Sequence, residues 1–298
     1  MIYKNIVGLI GHTPMVKINH VIKKDGVEIF AKLEGQNPSG SIKDRIALAM
    51  IEQGEREGKL TKEKIIIEAT SGNTGIALAM IGAIKGYGVH VVMSSAVSIE
   101  RQKLIKAYGA KVILTDGTKG TDGAIMHVRA LVKKFPEKYF NPDQFSNAYN
   151  KLAHYRTTAE EMWKQMDGRI DYMVSALGTS GTIMGIGKGL KDHDAHIKVV
   201  EAHPVKGHYI QGLKNLEEAL VPAIYDATMI DERVMVESED AFDMARKVML
   251  HEGISVGMSS GAALVAAREI AQKIDRGRIV IIFPDRAEKY VSTTLFAG

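Results

Sequence analysis

Residues 64–86 read KIIIEATSGNTGIALAMIGAIKG: a short apolar run, a loop of small polar residues and a longer apolar segment. The isoleucine-rich run 64–69 predicts a buried β-strand, and residues 75–86 predict an α-helix. A strand that leads through a glycine-rich loop into a helix is the repeating unit of a parallel α/β sheet. The stretch therefore predicts an α/β fold, with the loop 70–75 at the carboxyl end of a strand.

The same alternation continues along the chain. Further strands are predicted at 88–94, 110–115, 171–176, 197–202 and 278–284, and further helices at 46–57, 98–109 and 261–274. The polar, turn-rich segment 135–150 divides the strands into two sets. We predict two doubly wound, mostly parallel-sheet domains, residues 1–148 and 149–298. This division leaves open that the earliest strands pack on the second domain.

The composition excludes several kinds of protein. The chain of 298 residues has a net charge of +4 and no basic block, which argues against a nucleic-acid partner. It contains no cysteine, which excludes disulfides and thiolate metal sites. The N-terminal residues lack a signal-peptide pattern, and no apolar run reaches membrane-spanning length. We expect a cytoplasmic protein without a membrane partner.

A metal site is not expected either. His193, Asp194 and His196 are of ligand type, but they lie in a polar stretch before a strand. Their spacing does not match a helical metal-binding motif such as HExxH. We interpret them as residues of a solvated loop.

Two loops have the composition of anion-binding sites. TSGNTG (70–75) and GTSGT (178–182) each follow a predicted strand and offer backbone N–H groups and hydroxyls. At the N-terminus of a helix such groups bind a carboxylate or a phosphate. A simple helix N-cap would need one polar residue, whereas the first loop has four. The second loop lacks the GK[ST] ending of a nucleoside-triphosphate loop.

Lys43 is the candidate nucleophile. It lies in NPSGSIKDR (37–45), in the first turn of a predicted helix, where a cation is unfavourable beside the helix dipole. A free lysine has a pKa of roughly 10.4, so it needs a special site to act as a nucleophile. One such lysine with two anion-binding loops suits pyridoxal phosphate, which lysine holds as a Schiff base. The alternative is an ordinary surface lysine.

Seven segments, taken in order, resemble one known family. They are NPSGSIKDR, EATSGNTGIALA, SIERQKLIKAYGAKVILT, PDQFSNAYN, GTSGT, EGISVGMSSGAAL and KYVSTTLF. Together they resemble the cysteine synthase (O-acetylserine sulfhydrylase) family of fold-type II pyridoxal-phosphate enzymes, whose fold is like that of tryptophan synthase β. The resemblance implies an active site in the cleft between the two α/β domains, and a homodimer.

The resemblance also implies a role for each matched residue. Lys43 would bind the cofactor aldehyde and act as the catalytic base. Asn73 would contact the ring hydroxyl, and Ser259 the pyridine nitrogen. The cofactor phosphate would be bound by Gly178, Thr179, Ser180, Gly181 and Thr182. The substrate would be bound by Thr70, Ser71, Gly72, Asn73, Thr74 and Gln144, with Gly212 nearby.

The activity implied is replacement of the acetoxy group of O-acetyl-L-serine by sulfide, through an aminoacrylate, to give L-cysteine. Lys214 departs from the small apolar residues typical of O-acetylserine enzymes. It resembles the branch that uses O-phospho-L-serine, or thiosulfate as sulfur donor, and would then bind a second anion; a surface lysine is the alternative. Cystathionine β-synthase activity, a serine or threonine dehydratase and a non-catalytic cofactor-binding homologue stay open. So does binding to serine acetyltransferase.

Overall fold

Within residues 2–296, which a computed structural model of the protein describes, ten strands form two sheets. The strands are β1 (Met15–Ile18), β2 (Val27–Leu33), β3 (Ile65–Ala69), β4 (Val89–Ser94), β5 (Lys111–Thr115), β6 (Tyr139–Phe140), β7 (Tyr172–Ala176), β8 (Lys198–Pro204), β9 (Glu232–Val236) and β10 (Gly277–Phe283). The six predicted strands are confirmed, each to within two residues at either end.

The helices of the same range alternate with these strands. They are α1 (Lys43–Arg56), α2 (Asn73–Lys85), α3 (Ile99–Ala107), α4 (Gly120–Lys134), α5 (Ala148–Ala153), α6 (Ala159–Gln165), α7 (Gly181–His193), α8 (Ser238–Glu252) and α9 (Met258–Lys273). A π-helical turn, His154–Thr158, joins α5 to α6. The four predicted helices are confirmed, and α1 begins earlier than predicted, at Lys43 itself.

The strands divide into a larger and a smaller sheet. The larger sheet has the order β1-β2-β10-β7-β8-β9, and the smaller has the order β5-β4-β3-β6. Neighbouring strands are parallel except for β1 and β2. The predicted fold class, with two mostly parallel sheets, is confirmed. We name the two halves the large-sheet lobe and the small-sheet lobe.

The first two strands belong to the large-sheet lobe. β2 pairs with β10 along its whole length, with Ile29 opposite Ile279. The chain therefore starts in one lobe, builds the small-sheet lobe and returns. The division of the chain at residues 148 and 149 stays a prediction.

Helices cover the sheets and bury their strands. In α2, every residue from Thr74 to Gly82 is buried, which explains why this helix is apolar on all faces. A Cβ at Gly75 would lie 2.7 Å from a methyl carbon of Val91, so glycine allows the helix to pack directly on β4. In the large-sheet lobe, α9 packs on α8 and on the strands β7 to β10. No helix between residues 2 and 296 has the length and apolar character needed to cross a membrane.

The topology positions the site. The carboxyl ends of β3, β7 and β10 lead into one cavity, which is lined by residues of the loops 70–75 and 178–182 and by Pro284. Parallel α/β sheets bind ligands at this end of their strands.

Candidate active site

One cavity between the two lobes brings the predicted site residues together. Its volume is about 840 Å³, including open solvent at its mouth. All the predicted residues line it except Gly72 and Gly181, which lie inside the two loops. The lining residues are Lys43, Thr70, Ser71, Asn73, Thr74, Gln144, Gly178, Thr179, Ser180, Thr182, Gly212, Lys214 and Ser259. Their individual roles stay predictions.

Lys43 lies in this cavity at the first position of α1. The loop before it is fastened to the end of β10: Ile42 N donates to Pro284 O at 2.8 Å, and Ser41 forms a β-bridge with Asp285. Burial lowers the pKa of Lys43 to about 8, while the negative charge of Asp285 acts in the opposite direction. A large share of the Lys43 amine is therefore neutral and nucleophilic near pH 8.

A second buried lysine supports the loop that carries Lys43. Lys289 Nζ donates to Gly40 O at 2.9 Å, and Ser98 Oγ donates to Lys289 O at 2.9 Å. Burial lowers the pKa of Lys289 to about 8. Lys289 thus connects the loop before Lys43 to the residue that precedes α3.

The loop 70–75 is held in a conformation that needs glycine. Gly72 has φ +140°, and a Cβ there would lie 2.4 Å from Cδ of Arg101. Gly72 N donates to Thr70 Oγ1 at 3.0 Å. α2 begins one residue later, so its first backbone N–H groups are available to an anion at this end of the cavity.

Thr74 and Gln144 join this loop to the polar segment after β6. Thr74 Oγ1 donates to Gln144 Oε1 at 2.6 Å, and Gln144 Nε2 donates to Ala69 O at 2.7 Å. Both residues are buried, and both line the cavity. Thr74 and Gln144, which are both predicted to contact the substrate carboxylate, therefore lie side by side.

The loop 178–182 provides hydroxyl donors at the start of α7. The backbone of Ser180 has a left-handed conformation, with φ +66°. Its buried Oγ has no hydrogen-bond partner among the described residues. Thr179 Oγ1 accepts from Asn150 Nδ2 at 3.0 Å, which leaves the Thr179 hydroxyl proton free to donate. These hydroxyls and the helix N-terminus fit a phosphate group.

A buried network that the sequence analysis missed lies behind Asn73. Asp285 Oδ2 accepts from Asn73 Nδ2 at 2.6 Å and from Tyr290 OH at 2.7 Å. The Arg101 guanidinium lies 4.5 Å from the centre of the Tyr290 ring and donates to Ser71 O at 2.9 Å. A carboxylate two residues after the last strand of a mostly parallel sheet was the available signal for Asp285.

Lys214 is not a surface residue. It is 7% exposed, and its Nζ lies 2.6 Å from Asp122 Oδ1 on α4. The ammonium group also lies 5.2 Å from the centre of the Phe145 ring. Lys214 therefore faces the cavity, as the anion-binding hypothesis requires, but with its charge already paired.

His193, Asp194 and His196 lie at the exposed end of α7. His193 stacks on Trp163 and contacts Glu160 at 2.7 Å, whereas His196 contacts Asp194 at 3.0 Å. Among residues 2–296, no group of three or more His, Asp or Glu side chains is arranged to hold a metal ion.

The residues of the cavity fit pyridoxal phosphate. The amine of Lys43 suits its aldehyde, the hydroxyls of loop 178–182 suit its phosphate, and Ser259 at the start of α9 can meet its ring. Residues 6–285 match the family model described as "Pyridoxal-phosphate dependent enzyme". The chain belongs to this family and is a pyridoxal-phosphate-dependent enzyme.

Three similar proteins refine this placement. A cysteine synthase of Aquifex aeolicus is 48% identical, over 99% of this chain and 92% of its own. Cysteine synthase B of Salmonella typhimurium is 40% identical, over 96% of this chain and 94% of its own. The crystal structure of a cysteine synthase from Entamoeba histolytica has a TM-score of 0.93 and 42% identity, over 100% of this chain and 92% of that chain. The resemblance to the cysteine synthase family is confirmed.

Proposed function

We propose that this protein is a cysteine synthase that replaces the acetoxy group of O-acetyl-L-serine with sulfide, giving L-cysteine and acetate. The observation that carries the proposal is that Lys43 opens into the same cavity as the loops 70–75 and 178–182. An amine, a carboxylate site and a phosphate site are what this β-replacement requires.

The loops would fix the reactants. The hydroxyls and backbone N–H groups of residues 178–182 would hold the cofactor phosphate. The start of α2, with Thr74 and Gln144, would bind the α-carboxylate of the substrate. Two anchored anions orient the substrate between them, which lowers the entropic part of the reaction barrier.

Lys43 would then move the proton. Lys43 Nζ would hold the cofactor through its aldehyde, and the Lys43 amine would accept the α-proton of the substrate. A pKa of about 8 suits a base that works near neutral pH. The bound cofactor supplies the electron sink that makes the α-proton acidic. Ser259, as a neutral partner of the ring nitrogen, keeps that sink moderate, which suits elimination of a good leaving group such as acetate.

The test is an assay of purified protein loaded with pyridoxal phosphate. L-Cysteine is measured after incubation with sulfide and either O-acetyl-L-serine or O-phospho-L-serine. We expect O-acetyl-L-serine to be the better donor, because the charge of Lys214 is already paired. Homocysteine replaces sulfide in a parallel reaction that detects cystathionine β-synthase activity. Absence of L-cysteine with both donors would refute the proposal.

The assembly belongs to the same proposal. Ile2, Tyr3, Ile6 and Leu9 are all more than one-third exposed, which is typical of a segment that packs on a second copy. We propose a cytoplasmic homodimer, tested by light scattering of the purified protein.

The C-terminal carboxylate of serine acetyltransferase would suit the same loop 70–75 as the carboxylate of the substrate. Its tail peptide should then compete with O-acetyl-L-serine.

A further inference from the structure

We propose that Asp122 is a specificity-determining residue. By pairing with Lys214, it prevents the mouth of the active-site cavity from binding a second anionic group on the substrate. This inference rests on the proposed cysteine synthase activity and concerns which class of activated serine the cavity accepts.

The pair lies where the two lobes meet. Asp122 is in the first turn of α4, in the small-sheet lobe, and Lys214 follows β8 in the large-sheet lobe. Lys214 N donates to Leu177 O at 2.9 Å, directly before the loop 178–182. The Lys214 backbone is therefore held beside the predicted phosphate loop, and its side chain lines the cavity and ends at Asp122.

Asp122 is itself held in place. Its Oδ1 lies 2.6 Å from Lys214 Nζ, and its Oδ2 accepts from Leu220 N at 2.9 Å. The Asp122 side chain is 31% exposed and that of Lys214 is 8% exposed, so the lysine is the more desolvated partner. A desolvated cation is stable only when a counter-ion compensates its charge, and Asp122 is that counter-ion within the protein.

The charges of the leaving groups predict how the Asp122–Lys214 pair affects the choice between O-phospho-L-serine and O-acetyl-L-serine. An O-phospho group carries a charge of about −1.5 to −2 at pH 7, and it would have to displace Asp122 to reach Lys214. The acetoxy group is uncharged and makes no such demand. If the Asp122 carboxylate is replaced by an amide, Lys214 is left with an uncompensated charge that an O-phospho group can satisfy.

The experiment compares Asp122→Asn with the wild-type holoenzyme. The measured quantity is the ratio of kcat/KM for O-phospho-L-serine to kcat/KM for O-acetyl-L-serine, with sulfide held constant. We expect this ratio to rise by roughly ten- to a hundredfold, as a new charge-assisted contact predicts. Because both donors meet the same enzyme, a general loss of activity cancels in the ratio.

Two controls isolate the role of the pair. In Asp122→Asn combined with Lys214→Met, the gain should disappear, because the cation is gone. Asp243→Asn removes the carboxylate of the solvent-exposed pair Asp243–Lys247, which is 2.7 Å long, and should leave the ratio unchanged. Inhibition by inorganic phosphate should also become stronger in Asp122→Asn alone.

The outcomes separate the two proposals. If Asp122→Asn forms L-cysteine but the ratio stays within twofold of wild type, the role of Asp122 is refuted and the proposed function stands. If the wild-type protein forms no L-cysteine with either donor, the proposed function itself fails.

Discussion

The side-chain amide of Asn73 donates a hydrogen bond of 2.6 Å to the carboxylate of Asp285, across 212 residues of sequence. Asp285 lies two residues after the end of β10 of the large sheet, and Asn73 begins α2 beside the small sheet. Because the same carboxylate acts on the pKa of Lys43, this contact links the loop 70–75 to the Lys43 amine.

Replacing Asp285 with asparagine should make Lys43 more reactive in the cofactor-free protein. The negative charge of Asp285 raises the pKa of Lys43, so its removal should lower that pKa below about 8. More neutral amine is then present at pH 7, and pyridoxal phosphate should bind faster there, by roughly two- to tenfold. The measurement is the binding rate as a function of pH.

Tyr290→Phe is the matched control. It removes the hydroxyl that donates to Asp285 at 2.7 Å but keeps the carboxylate charge. Its pH midpoint should stay close to that of the wild type. A midpoint that is unchanged or higher in Asp285→Asn would show that Asp285 does not set the pKa of Lys43.

Gly181→Ala should weaken retention of the cofactor. A Cβ at position 181 would lie 1.8 Å from Oδ1 of Asn150, which is fully buried and donates to Thr179 in the same loop. Such overpacking costs about 1–3 kcal/mol. If the loop 178–182 shifts to relieve it, the affinity for the cofactor falls by roughly five- to 150-fold. Equilibrium dialysis of the holoenzyme measures this affinity.

Gly8→Ala provides the comparison for that variant. Gly8 is exposed, and its nearest neighbour would be the ring of the equally exposed Tyr3, at 3.0 Å. Cofactor affinity should remain at the wild-type value. Equal affinities in Gly181→Ala and wild type would mean that the loop 178–182 does not hold the phosphate.

Glu68→Gln should make the free energy of unfolding less dependent on pH. Glu68 is buried at the end of β3, and burial, helped by the charge of Asp143, raises its pKa from 4.5 to about 8. Between these two values the folded state holds a proton that the unfolded state has lost, so stability falls as pH rises through this window. One such group changes the free energy of unfolding by at most about 1.4 kcal/mol per pH unit.

The comparison is made by urea unfolding of wild type, Glu68→Gln and Glu137→Gln at several pH values from 5 to 8. Glu137 is exposed, so its variant should follow the wild-type curve. If the free energy of unfolding of Glu68→Gln falls with pH as steeply as that of the wild type, the raised pKa does not belong to Glu68.

The sequence was most informative where local patterns decide structure. The apolar runs of β3, β4, β7, β8 and β10 are largely buried between helices, so their composition alone identifies them. β5 lies at the edge of the small sheet and is only partly buried, but its run of apolar residues was still recognisable. The strands β1, β2, β6 and β9 were not predicted. β1 has two exposed residues of four, and β6 has only two residues, so neither gives a clear pattern.

The site shows the same contrast. Lys43 and the two loops were predicted because glycines, hydroxyls and a helix start are local features. Asp285 and the Asp122–Lys214 pair were missed because each acts on a residue distant in sequence: 92 residues separate Lys214 from Asp122. A lone carboxylate carries no local sign of its partner, and only the meeting of the two lobes reveals it.

The central claim, that Lys43 carries the cofactor, can be measured directly. The holoenzyme is reduced with borohydride, digested and mapped by mass spectrometry for the lysine that bears a pyridoxyl group. Three lysines with low exposure or a lowered pKa lie around the site: Lys43, Lys214 and Lys289. We predict modification of Lys43 alone, and loss of the label in Lys43→Ala. A pyridoxyl group on Lys214 or Lys289, or on no lysine, would contradict the account.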